Sequence, residues 1–157
     1  MKYVIIGNSA AGIAAAEGIR SADKTGEITI VSDEKYHTYG RPLISYYLYG
    51  KTDLEHIAYR PADFYEKMGV DLILGERAVK IEPKEKRVLL QSGKKAGYDK
   101  LLVATGSRPF VPPMEGLEEV ENKFSFMKLD DALALEKALS PEKDVLIVGA
   151  GLIGLKC

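Results

Sequence analysis

Cysteine is nearly absent from this chain: of 157 residues, only Cys157 carries a thiol. A disulfide framework, a CxxC redox pair and a cysteine-rich zinc site are thereby excluded. Histidine is almost as scarce. His37 and His56 lack the spacing of metal ligands, so each reads as a surface or loop residue. No apolar stretch approaches the roughly 20 residues that cross a bilayer. An excess of either charge is missing too: 22 Lys and Arg stand against 23 Asp and Glu, interleaved along the chain. That balance supports neither a nucleic-acid-binding face nor a polybasic membrane patch. The expected setting is the cytoplasm, with no nucleic-acid or membrane partner. One stretch imitates a secretory signal, since Lys2 and a short apolar run lead to Ala14-Ala15-Ala16. Gly7-Asn8-Ser9 interrupts that run, and Glu17 and Arg20 follow at helical spacing. A buried strand, a turn and a helix explain it better.

What is present is a sequence of alternating elements. Residues 2–6 read as a buried parallel strand running into glycine, 10–21 as an alanine-rich helix, and 28–31 as a second strand. Strand, helix and strand within about 30 residues make a βαβ unit. Pro42 is suited to open a helix that Gly50 closes, and a further helix is expected from Pro61 to Met68. Residues 70–74 read as a strand, about 76–98 as a small antiparallel excursion, and Asp99–Ala104 as a return to a buried strand. Three prolines in Arg108–Gly116 suggest a connector. A helix over Leu129–Leu139 and a buried strand over Asp144–Val148 complete the pattern. The fold class expected is α/β: a Rossmann-like domain with a parallel sheet and a small antiparallel insertion, followed by the start of a second.

Each end of the chain carries a glycine turn after a strand. In the first, Gly7-Asn8-Ser9-Ala10-Ala11-Gly12, the outer glycines serve the tight turn and the helix–strand packing. Ser9 takes the middle place, small enough for a pyrophosphate to approach and able to offer its hydroxyl. The helix N-terminus adds free amides and a dipole, worth roughly 0.3–2 kcal/mol to an anion. Asp33 lies about 20 residues beyond Gly12, where an acid accepts from ribose hydroxyls. The second turn, Gly149-Ala150-Gly151-Leu152-Ile153-Gly154, has all three glycines. Two such turns imply two dinucleotides, one per domain.

GNSAAG, LLVATGSRPFVPP and VLIVGAGLIG, in this order and spacing, resemble the pyridine nucleotide–disulfide oxidoreductase flavoproteins. YGRPLISYYL is most similar to NADH:rubredoxin and ferredoxin reductases and to the FAD-containing part of NADH-dependent nitrite reductases. The resemblance implies FAD in the first site and NAD(P)H in the second, in the full-length parent. It implies that Gly7, Ser9, Ala11 and Gly12 hold the pyrophosphate and Asp33 the adenosine ribose, with Glu34 beside it. Ala78 matches a position whose backbone meets the adenine, and Ala104, Thr105 and Gly106 border the flavin nucleotide. Arg41, Pro42 and Leu43 begin the helix beside the isoalloxazine, and Gly149, Gly151 and Gly154 belong to the nicotinamide cofactor's turn. On the same resemblance, residues 1–110 are the N-terminal part of an FAD-binding domain. Residues 111–157 are a connector and the truncated start of an NAD(P)-binding domain.

Two departures from the family pattern bear on the chemistry. Disulfide reductases and NADH peroxidase-type members carry a redox cysteine near residues 40–46, where this chain has none, and many electron-transfer members have lysine where Tyr46 stands. The implied activity is electron transfer from NAD(P)H through flavin to an acceptor such as rubredoxin, ferredoxin or a nitrite-reductase centre, without a thiolate relay. An NADH oxidase-like use of dioxygen and a non-catalytic adenine-nucleotide module are the alternatives. The intact parent is expected to be an enzyme and the isolated 157 residues to be inactive. Val145, Leu146, Ile147 and Val148 would each contribute roughly 1.5–3 kcal/mol if buried, a large share of a domain's margin of about 5–15 kcal/mol. This end is therefore expected to be disordered, to dock on its own domain, or to pair with another copy as a homo-oligomer.

Overall fold

The computed structural model describes residues 1–156, so Cys157 lies outside the described residues. In chain order the strands are β1 (Lys2–Ile6), β2 (Glu27–Val31), β3 (Val70–Ile73), β4 (Ala78–Glu82), β5 (Arg87–Leu90), β6 (Lys95–Gly97) and β7 (Lys100–Val103). The α-helices are α1 (Ala10–Ala22), α2 (Ile44–Leu48), α3 (Phe64–Lys67), α4 (Leu129–Ala138) and α5 (Leu152–Lys156). They fall into two compact units: Met1–Tyr39 with Ala58–Gly106, and Gly40–Ile57 with the chain from Ser107 onward. Among the described residues, no helix is long and apolar enough to cross a membrane.

The first unit rests on a parallel sheet in the order β3-β2-β1-β7. Ile5 lies opposite Ile30 on one side and Leu102 on the other. β1 is buried on both faces, which is why its sequence is continuously apolar rather than alternating. Ile5 faces Ile13 and Ala16 of α1, Ile28 and Ile30 of β2, and Phe64 and Tyr65 of α3. Val4 and Ile6 turn the other way, toward Val88 and Leu90 of the antiparallel sheet β4-β5-β6. That sheet is the insertion expected over residues 76–98. It closes the second face of the parallel sheet, as a helix would in a regular βαβ repeat.

Arg20, in the last turn of α1, ties three segments together. Its guanidinium donates to the carbonyls of Met68 (2.8 Å), Gly69 (3.0 Å), Gly26 (2.8 Å) and Asp23 (3.1 Å). A cation at this end also meets the negative pole of the helix. The neighbouring Asp23 carboxylate accepts from the Thr25 and Gly26 amides at 3.1 and 2.8 Å and from the Tyr3 hydroxyl at 3.1 Å. The amides, foremost, hold its pKa below the ordinary carboxylate value.

In the second unit, Arg41–Leu43 forms a 3-10 turn that leads into α2, so the helix predicted from Pro42 begins more tightly wound than expected. Ile44, Ile57, Leu129 and Ala132 are buried there. The Tyr47 hydroxyl donates to Glu136 of α4 at 3.0 Å. The helix expected over Pro61–Met68 is confined to α3, because the chain after Pro61 first makes a turn. The strand expected over Asp144–Val148 does not form. Among the described residues no strand lies beside it, and an isolated strand has no ladder to hold its amides and carbonyls. Its side chains stay in solvent, Leu146 being 88% exposed.

Replacing Arg20 by methionine keeps the stem and removes all four hydrogen bonds. Urea unfolding should show a loss of about 1.5–3 kcal/mol, and an unchanged midpoint would refute the clamp. Since folding lowers the pKa of Asp23, its contribution is present above the unfolded value of about 3.9 and disappears as pH falls through the folded one. The melting-temperature gap between wild type and Asp23→Asn should therefore narrow as the pH is lowered below about 4.

Candidate functional site

The first glycine turn occupies the point where the sheet branches. The Gly7 amide donates to Val31 O of β2 at 2.9 Å, while the Ala104 amide, just past β7, donates to Ile6 O at 2.8 Å. The turn thus sits at the carboxyl end of β1, between neighbours on either side, which is the topological switch point of such sheets. Gly7 has φ +123°, and a Cβ there would lie 2.2 Å from Ala104 O. A Cβ on Gly12 would lie 2.0 Å from Gly7 O. Both positions require glycine for a geometric reason, as the motif predicts.

The Ile13 amide donates to Ser9 O at 3.0 Å, the first bond of the α1 ladder. The amides of Ala10, Ala11 and Gly12 precede that bond and have no acceptor within the helix. They are the donors an anion would use. Beyond β2, the two adjacent acids differ. Glu34 is buried and accepts from the Tyr39 hydroxyl at 2.5 Å, whereas Asp33 is exposed. Of the pair, Asp33 has the accessible carboxylate. Ala78 opens β4 and packs against the cluster of Val4, Ile6 and Val31. Thr105 and Gly106 follow β7, Gly106 in the left-handed region at φ +66°.

These residues all belong to the first unit. Arg41, Pro42, Gly149, Gly151 and Gly154 belong to the second. The Arg41 guanidinium donates to Met127 O at 3.1 Å, and Lys156 Nζ lies 5.6 Å from the centre of the Tyr46 ring. The second glycine turn repeats the first in detail. Gly149 has φ +120°, a Cβ on Gly154 would lie 2.0 Å from Gly149 O, and Leu155 donates to Gly151 O at 3.0 Å. The difference is at the first glycine. A Cβ on Gly149 would meet nothing within 4 Å, while one on Gly7 would strike the chain leaving β7.

Sequence reading did not single out Asn8, Tyr39 or Tyr65. Asn8 lies inside the turn, and its Oδ1 accepts from the Tyr65 hydroxyl of α3 at 2.6 Å. No local pattern could link residues 57 apart.

The pyridine nucleotide-disulphide oxidoreductase family model matches residues 1–157. The nitrite reductase (NADH) large subunit of Escherichia coli is 33% identical over 158 residues, covering 99% of this chain and 18% of that protein. The NADH-rubredoxin oxidoreductase of Clostridium acetobutylicum is 32% identical over 155 residues, covering 99% and 40%. The crystal structure of a covalent putidaredoxin reductase–putidaredoxin complex superposes with a TM-score of 0.87 at 30% identity, covering 99% of this chain and 38% of the matched one. The chain therefore spans less than half the length of each of these three proteins.

Two glycines of α1 make opposite predictions. Gly12→Ala forces a methyl into Gly7 O and should cost about 3 kcal/mol. Gly18→Ala meets nothing within 4 Å and should add roughly 0.5–1 kcal/mol through helix propensity. Chemical denaturation of both variants checks the pair. Equal and small effects would mean that the close approach at Gly12 does not constrain the turn.

Proposed function

This chain belongs to the pyridine nucleotide-disulphide oxidoreductase family, and on that premise we propose that it is the FAD-holding front of an NAD(P)H-dependent oxidoreductase. The observation that carries the reading is the Gly7–Gly12 turn at the branch of the sheet. The residues there fit the group: two glycines clear the backbone, and three helix-terminal amides await an anion. An exposed acid stands at the end of the next strand.

In this reading Gly7, Ser9, Ala11 and Gly12 bind the pyrophosphate, and Asp33 accepts from the adenosine ribose. Glu34 shapes the loop beside it through Tyr39. Ala78 offers backbone to the adenine, Ala104, Thr105 and Gly106 border the flavin nucleotide, and Arg41 and Pro42 open the helix that runs along the ring. Gly149, Gly151 and Gly154 form the turn for the nicotinamide cofactor. Residues 1–110 are the N-terminal part of the FAD-binding domain, and 111–157 are the connector and the start of the NAD(P)-binding domain. FAD, when bound, supplies a ring that takes hydride from NAD(P)H and hands the electrons on. The protein's own residues bind and orient it. Residues 40–46 contain no cysteine, so they offer no thiolate as an intermediate carrier.

The acceptor we favour is a small redox protein in the cytoplasm, as the names of the rubredoxin and putidaredoxin reductases suggest. The 157 residues alone are not expected to turn over NAD(P)H, because the run before Gly149 has no sheet among the described residues to seat a nicotinamide.

Titration with FAD and with ADP tests the cofactor assignment. Both should bind, and Asp33→Ala should weaken both about 10- to 100-fold through loss of charge-assisted hydrogen bonds. Lack of binding by the wild type would overturn the FAD reading. For the full-length protein, anaerobic addition of NADH should bleach the flavin. Reoxidation by rubredoxin or ferredoxin, rather than by nitrite or dioxygen, would bear out the acceptor class.

A further inference from the structure

The phosphate turn is held from behind by a residue that belongs to a different helix. Tyr65 of α3 is 7% exposed. Its hydroxyl oxygen accepts from the Thr38 amide at 3.3 Å, and its proton goes to Asn8 Oδ1 at 2.6 Å. The Asn8 amide nitrogen is directed at Tyr36 O, 3.4 Å away. That orientation is the consistent one: Tyr36 O can only accept, and the Tyr65 oxygen already accepts from Thr38. Asn8 is the residue between Gly7 and Ser9, while Tyr36 and Thr38 lie on the loop that follows Asp33 and Glu34. One phenol therefore bridges the pyrophosphate turn and the loop after the ribose acid.

The phenol is itself fixed. The His37 ring stands edge-on to it at 4.8 Å and Phe64 at 5.2 Å. Burial raises the pKa of Tyr65 above the ordinary phenol value, so it remains a donor throughout the neutral range. A packed ring with a single outlet for its proton is a preorganising element of the kind that supports a binding site from outside.

We infer that Tyr65, acting through Asn8, is a positioning residue for the pyrophosphate half of the cofactor, setting the turn before the ligand arrives. This rests on the FAD assignment made above. Its role lies in affinity: without the bond, the turn must be ordered by the ligand itself, and binding weakens.

The test uses Tyr65→Phe, which keeps the ring and its packing, and Asn8→Ala, which removes the acceptor. FAD and ADP dissociation constants are measured for wild type, each single variant and the double variant, well below the melting temperature of all four. Each single variant should bind FAD about tenfold more weakly, the size expected for one buried hydrogen bond. ADP should weaken by the same factor, because the turn serves the moiety the two ligands share. The double variant should lose no more than the weaker-binding single, since the bond from Tyr65 to Asn8 is the link both remove. Additive losses, a loss confined to FAD, or unchanged affinities with wild-type binding intact would each overturn the proposal while leaving the cofactor assignment standing. Failure of the wild type to bind either ligand would remove both.

Discussion

The close approach of Gly12 to the Gly7 carbonyl is the constraint on which the first unit depends. It lets α1 leave β1 with almost no separation, which brings Ile13 and Ala16 down onto Ile5, Ile28 and Ile30. The same approach leaves the first amides of α1 at the carboxyl edge of the sheet. Core packing and the placement of those amides therefore draw on one backbone geometry. A side chain at Gly12 would strike the Gly7 carbonyl and push the helix from the sheet, and one at Gly7 would strike Ala104 O beyond β7.

Much of this was legible in the sequence because it depends on local pattern. The apolar run of β1, the spacing of Gly7 and Gly12, the distance to Asp33 and the turn-rich stretch over 76–98 each encode their own geometry. Asp144–Val148 misled because its composition describes a buried strand, while strand formation needs a neighbour that composition cannot supply. The short α3 was overextended for a related reason: its apolar residues Phe64 and Tyr65 are anchored by tertiary packing against Ile5 and Val70, not by helical periodicity.

The parts of the site that could not be read are those made by contacts distant in sequence. The spacing assigns the ribose to Asp33 and leaves Glu34 beside it, without showing that Glu34 turns inward. A bond from Tyr39 and burial separate them into an internal and an accessible carboxylate. Tyr65 looks like an ordinary core aromatic until Asn8 and Thr38 are seen converging on its hydroxyl. The grouping of Gly40–Ile57 with residues beyond Ser107 likewise has no signature in either segment alone.

The first glycine turn also depends on β7 for one of its walls. β1 pairs with β2 across a single helix, but the Lys2 amide meets the Asp99 carboxylate, at the entry to β7, across 97 residues. Closing a loop this long costs more conformational entropy than closing the β1–β2 crossover. Since Ala104 O is the atom that presses on Gly7, the turn acquires its last wall only when β7 docks. A chain in which β7 is undocked would thus keep the packing of α1 on β1 and β2 while the first glycine turn lacked the wall behind Gly7.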